Sequence, residues 1–201
     1  MLTYVLIGIN VAITWWAFRS FQKGDRPQRF LFYPYHVARG RNFIGILLSQ
    51  FSHADFPHVF FNMLTFFFFG PVVERHLGYN LLTIYLGSGL AALLLIFLLR
   101  RNNPDYKVLG ASGCVTGVMF AAIVLEPQMH LSFILLPIPI PAPFFALIYL
   151  AITSWLLKDE MGNVSHEAHL AGGVTGLILA GLLSPSGFAP LADRFQQLIH
   201  H

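Results

Sequence analysis

Charge is scarce in this chain. Of its 201 residues only 10% are Asp, Glu, Lys or Arg, while 56% are hydrophobic; a soluble domain carries about 25% charged residues. Cysteine is nearly absent, and the single Cys114 excludes a disulfide framework and any cysteine-built metal site. No HExxH string occurs, so the helical zinc-protease pattern is missing. No repeat with a period of 20–50 residues is present, and the paired, broken-helix repeats of many transporters are not found. The N-terminus lacks a basic leader and a clear cleavage site, so residues 1–18 are expected to be a retained span rather than a signal peptide. A net charge of +3 suits a membrane surface, and no nucleic-acid partner and no cofactor are expected. His200 and His201, which close the chain, read as remnants of a purification tag.

Long uncharged runs are what the chain has instead. Cutting at every Asp, Glu, Lys and Arg leaves 1–18, 56–73, 77–99, 108–125, 127–157 and 168–192. A membrane-crossing helix needs about 20 apolar residues, with a range of roughly 17 to 25. The expectation is an all-α polytopic membrane protein, one domain over residues 1–201, with six transmembrane helices. The fifth run is too long for one span, and its first half alternates Pro137, Pro139, Pro141 and Pro143. Proline disfavours a helix, so this part is expected to be an extended loop, with the fifth helix near 142–157. Residues 19–55 hold the main basic cluster (Arg19, Lys23, Arg26, Arg29, Arg39 and Arg41) behind the interfacial Trp15 and Trp16. Within it, 42–54 is uncharged but too short to span, and fits an interfacial or re-entrant segment. Glu74 and Arg75 are expected to cap the second span, and Lys158-Asp159-Glu160 to end the fifth.

Spans two, four and six would enter from the same side of the membrane. His58, Ser112 and His169 stand at their starts, and therefore at one depth. Asn62 follows His58 by four residues, one turn deeper on the same face. Polar side chains inside a bilayer are costly, charged ones by about 2.5–3.5 kcal/mol on insertion scales, which makes these residues functional candidates. A serine hydroxyl becomes a useful nucleophile when a base sits beside it. His169 could take the Ser112 proton and return it to a leaving amine. Glu167 lies two positions from His169, about 200° around a helix, on the far face. No other acidic residue falls inside a span, which points to a Ser–His dyad rather than a triad. His58, Asn62 and the Ser112 backbone N–H could donate to the oxyanion of a tetrahedral intermediate. Gly113-x-x-x-Gly117 and Gly172-x-x-x-Gly176-x-x-x-Ala180 are close-approach patterns that would bring spans four and six together. His53, Asp55 and His166 are expected to be loop or supporting residues, and Phe66–Phe69 a lipid-facing or packing surface.

The strings HVFFN (58–62), ERHLG (74–78), GASG (110–113) and AHLAGG (168–173) resemble, in order and spacing, the signature of the rhomboid intramembrane serine proteases, bacterial type. The resemblance covers roughly residues 42–180. It implies a six-helix core with a water-filled cavity open to the extracytoplasmic side of a bacterial inner membrane. It implies Ser112 as nucleophile, His169 as base, and His58 and Asn62 as oxyanion stabilisers. The implied substrates are single-span proteins of the same lipid bilayer, cut in or near an unstable transmembrane helix.

There are departures. Thr116 stands where relatives often carry an aromatic residue against the histidine, which implies that His169 is held differently here. The Trp-Arg pair of some relatives' first loop is missing. Ten of the twelve Lys and Arg residues fall on the Ser112 side, against Arg75 and Arg194 opposite, and the positive-inside rule alone would turn the site toward the cytoplasm. Two other functions compete. A metallohydrolase built on His53, Asp55, His58, His166 and His169 leaves GASG unexplained. A non-catalytic rhomboid-like protein that binds membrane helices would not need the Ser112–His169 pair. Span five, loosely tied to span four by the proline run, is the expected gate for lateral substrate entry, around Phe144 to Trp155. Oligomeric state is not legible.

Overall fold

The computed structural model describes residues 1–24, 27–133, 136–156 and 165–200. In chain order the helices are α1 (Leu2–Lys23), the short α2 (Pro34–Val37) and α3 (Ile44–Leu48), α4 (Phe56–Leu77), α5 (Asn80–Arg100) and α6 (Ser112–Leu125). Strands β1 (His130–Phe133) and β2 (Leu136–Pro141) follow, then α7 (Ala142–Leu156), α8 (His166–Leu183) and α9 (Ala189–Ile199). Each uncharged run overlaps one of the six helices α1, α4, α5, α6, α7 and α8. By length and composition only α1, α4 and α5 qualify as membrane spans among the described residues, against six expected. α6 and the described part of α7 are apolar but shorter, and α8, with 18 residues, opens on His166, Glu167 and His169, which lower its mean hydropathy. A run without charge can contain breakers, and Ser184-Pro185-Ser186-Gly187, with Gly187 at φ +57°, ends α8 nine residues before the sixth run closes. The expected end of α7 at Lys158-Asp159-Glu160 lies outside the described residues.

The short helix is the central one. Every residue of α6 from Gly113 to Val124 is buried, as expected for a helix that is apolar all round. It packs against α8, α5 and α4. At about 1.5 Å per residue its 14 residues span roughly 21 Å, short of the bilayer's hydrocarbon core of about 30 Å. Two glycines of α8 make the tightest seam. A methyl group on Gly172 would collide with the carbonyl oxygen of Gly113, and one on Gly176 with that of Gly117. The hydrogens of Gly113 and Gly117 themselves point elsewhere, toward Ala92 and Ser88 of α5, so α6 is pinched from two sides.

The proline run is extended through Pro141, as expected, but paired rather than loose, and Pro143 lies in the first turn of α7. β2 lies antiparallel to β1, with His130 opposite Pro141 and Leu131 opposite Ile140. The register shifts between Leu131 and Phe133, and the N–H of Ala142 reaches the Met129 carbonyl at 2.9 Å, which turns the nitrogen of the preceding Pro141 away from β1. Proline is tolerated there because no ladder donor is lost.

Glu74 departs from expectation as well. It caps α1, not its own helix: its carboxylate accepts from the N–H groups of Leu2 (2.6 Å) and Thr3 (2.9 Å) and from Thr3 Oγ1 (2.7 Å), and it also meets the Met1 amine. A carboxylate is disfavoured at the negative C-terminus of its own helix and favoured at the positive start of another. The Phe66–Phe69 run splits by helical period: Phe66 is buried against Tyr85, while Phe67 and Phe68 are exposed.

Candidate active site

Three helix starts build the site. At the first, Asp55 is the N-cap of α4: its backbone is extended and its Oδ1 accepts from the His58 N–H at 2.7 Å. Such a cap contributes about 1 kcal/mol and occupies the carboxylate. One turn into α4, Asn62 Nδ2 donates to the His58 carbonyl at 2.9 Å. That bond fixes the amide plane and leaves its second N–H free to point elsewhere. The His58 ring stands edge-on to His53, with centroids 5.0 Å apart at 87°.

His53 is fully buried and ties three segments together. Its Nδ1 lies 2.8 Å from Thr14 Oγ1, and the Ala111 N–H points at its Nε2 at 3.5 Å. The backbone donor makes Nε2 the acceptor, so Nδ1 carries the proton and donates to Thr14. Thr14 in turn donates to the Phe51 carbonyl at 3.2 Å. Burial, with His58 second, pushes the His53 pKa down to about 3 against the opposing pull of Asp55. A folded value below the unfolded one, about 6.5, means that His53 contributes full stability above that pH. The contribution is lost as pH falls from there toward 3. We therefore expect His53→Asn to melt below wild type near neutrality but to lose less than wild type on acidification to about pH 5. Parallel melting curves across that range would contradict the assignment.

The second start is that of α6. Gly110 has φ +135°, and a methyl group there would sit 2.7 Å from His58 Cε1, so both the backbone conformation and the close ring demand glycine. Ala111 is the buried N-cap residue and Ser112 the first residue of the helix. The N–H groups of Ser112, Gly113 and Cys114 have no acceptor within the helix, and the helix dipole makes this end attractive to an anion. The Ser112 hydroxyl is half-buried.

The third start is that of α8. Ser165 caps it by accepting from the Ala168 N–H at 3.3 Å. Glu167 faces away from His169 and takes Arg100 at 2.7 and 3.0 Å, pinning the start of α8 to the end of α5. His169 is held by ring contacts, with Tyr149 of α7 at 6.2 Å and 36° and with His166 at 6.4 Å and 89°. Ser112 and His169 sit on abutting helices at the Gly113–Ala168 contact, without a hydrogen bond between them in this structure. Thr116 does not leave the histidine bare, since its Oγ1 lies 3.5 Å from the Tyr149 hydroxyl.

Among the described residues no group of three or more His, Cys, Asp or Glu is placed to hold a metal ion. Of the five residues of that alternative, Asp55 caps a helix and both nitrogens of His53 are engaged. Sequence reasoning missed Tyr149, the His53–Ala111 link and the Glu167–Arg100 pair. A tyrosine inside an apolar run, with a polar end needing a partner, was the available signal for the first.

Comparison with known proteins bears on the chain's family. A family model described as the Rhomboid domain matches residues 40–186. Over 194 residues the chain is 29% identical to Rhomboid protein 1, mitochondrial, of Saccharomyces cerevisiae, covering 91% of this chain and 53% of that protein. It is 33% identical over 144 residues to Rhomboid-related protein 4 of Mus musculus (66% of this chain, 44% of that one). It is 30% identical over 138 residues to YdcA of Bacillus subtilis, whose name proposes it as a rhomboid protease (65% and 62%). The chain thus spans about half the length of the curated relatives it matches, and those relatives are mitochondrial as well as bacterial. The apolar helices and the matched domain make it an integral membrane protein, and the chain belongs to the rhomboid family.

Proposed function

We propose that this chain is an intramembrane serine endopeptidase that cleaves transmembrane proteins with Ser112 as nucleophile and His169 as base. The observation that carries the reading is the placement of Ser112: a serine on the open N-terminus of a short, wholly buried helix, against the helix that bears His169. Because α6 is shorter than the hydrocarbon core is thick, its serine lies below the membrane surface, in reach of a membrane-embedded peptide. The Ser112 oxygen attacks the scissile carbonyl carbon while His169 takes its proton. The resulting oxyanion accepts from the Ser112 N–H, from the free N–H of Asn62 and from His58. Collapse expels the amine, which receives the proton from His169, and water then releases the acyl group by the same steps. The dyad needs no metal in this scheme, so a chelator should leave cleavage unchanged.

Substrate enters sideways, between α4 and α7. The two helices share no extended packing among the described residues; Phe69 of α4 reaches the cluster around Phe120 and Phe145, and α6 otherwise lies between them. Phe145 is buried in that cluster, so trimming it loosens α7; the side chain of Trp155, the other expected gate residue, lies outside the described ones. Cross-linking α7 to α4 through introduced cysteines, after replacement of Cys114, should stop cleavage of a membrane-embedded substrate. Undiminished cleavage at complete cross-linking would place entry at the aqueous face.

The active face is assigned to the extracytoplasmic side. Several of its arginines lie over aromatic rings, Arg19 over Trp15 at 5.1 Å, Arg29 over Trp16 at 4.4 Å and Arg39 over Tyr35 at 3.4 Å. That is the pattern of an interfacial belt, in which basic side chains are spent on the interface rather than on a cytoplasmic loop.

The α6–α8 seam gives a further expected result. Gly172→Val or Gly176→Val drives α8 off α6 against backbone atoms that cannot swing aside. A misplacement of about 1 Å at a catalytic pair costs roughly 10²-fold, and cleavage should fall at least that far, with a lowered melting temperature. Normal activity in both variants would show that these glycines do not set the distance between Ser112 and His169.

A further inference from the structure

We propose that Tyr149 of α7 is the positioning residue for His169, so that the base is aligned only while α7 is seated against α6 and α8. The inference rests on the reading of His169 as the base. Among the described residues no carboxylate orients that histidine, since Glu167 is turned away and bound to Arg100. What meets its ring is aromatic: the edge-on ring of His166 from its own helix and the tilted face of Tyr149 from α7. A ring contact of this kind restricts the imidazole's rotation about its side-chain bonds, and the π face also favours the imidazolium formed when the base takes the Ser112 proton.

Tyr149 is itself held from three directions. Phe145 stacks along it at 6.2 Å and 25°, Phe120 of α6 meets it edge-on at 5.7 Å, and its hydroxyl reaches Thr116 Oγ1 at 3.5 Å. Thr116 and Phe120 lie one and two turns below Ser112 on the same helix. Tyr149 therefore connects the helix of the nucleophile to the ring of the base, through a residue of the helix that must yield when substrate enters. Swinging α7 outward withdraws Tyr149 from His169. Entry and base alignment oppose one another, and the site becomes competent when α7 closes again over the bound segment.

The test compares Tyr149→Ala, Tyr149→Phe and Thr116→Val with wild type in detergent and in vesicles. Three quantities are read: the rate at which a small fluorophosphonate labels Ser112, which needs the base but no helix entry; kcat and KM for a membrane-embedded substrate; and melting temperature. Ile84→Ala, a cavity in the buried face of α5 away from this site, controls for lost stability. Tyr149→Ala should slow labelling and lower kcat by about tenfold, the size expected for one lost aromatic contact to a catalytic group, with KM unchanged. Tyr149→Phe keeps the ring and should retain most activity, Thr116→Val should fall between the two, and Ile84→Ala should lower melting without slowing labelling. If Tyr149→Ala fails to insert, Tyr149→Leu, which keeps bulk without a flat ring, carries the same expectation. Labelling and kcat of the alanine or leucine variant at the wild-type level, or above it, would overturn this inference while leaving the dyad intact. Wild type that does not label at Ser112 would overturn the protease reading itself.

Discussion

On the proposed reading, Ser112→Ala is expected to abolish cleavage, and His169→Ala to do the same, while both proteins still insert and fold. The first substitution removes one oxygen from a half-buried position and leaves the packing of α6 untouched. The second leaves the Glu167–Arg100 pair, and with it the start of α8, in place. What is lost is chemistry. In a soluble serine protease, removing the nucleophile or the base costs on the order of 10⁶ in kcat, and removing both costs no more, since they act as one unit. The same non-additivity is expected here: the double variant should be no slower than either single one. Cleavage by Ser112→Ala at a rate comparable to wild type would remove the assignment, and the helix-binding alternative would account for full substrate capture with no cleavage by wild type.

Asn62→Ala is expected to lower kcat by about 10²–10³, the usual cost of one lost oxyanion donor, and to leave KM nearly unchanged. The donor acts on charge that develops only in the transition state. The structure refines the argument. One N–H of Asn62 is already committed to the His58 carbonyl, so the amide is pre-oriented, and on the proposed reading its second N–H is the oxyanion donor. The substitution leaves that carbonyl without its extra donor, a small loss at a site half open to solvent. Unchanged kcat with a lowered melting temperature would make Asn62 a structural residue of α4.

Much of this was legible in the sequence, because the membrane imposes a simple rule. Six uncharged runs located six helices, and the starts of α6 and α8 fell where GASG and AHLAGG place them. Helix lengths were not legible, since absence of charge does not reveal where Ser184-Pro185 breaks a run. The hairpin was hidden for a related reason: alternating prolines report extended backbone, and only the register shows that this backbone pairs with β1. At the site, the groups read from the sequence were those with unusual chemistry for a bilayer. The groups that hold them were not. Glu74 binds the start of α1 across more than seventy positions of chain, His53 reaches both Thr14 and Ala111, and Tyr149 meets His169 from another helix. Such contacts follow from packing, which a local pattern does not encode.

The most direct measurement of the central claim is covalent labelling of the intact protein with a serine-reactive fluorophosphonate, the adduct being located by peptide mapping. One adduct is expected, on Ser112, absent in Ser112→Ala, strongly slowed in His169→Ala and indifferent to chelator. An adduct on another serine, equal labelling of Ser112→Ala, or loss of labelling on chelation would contradict the claim.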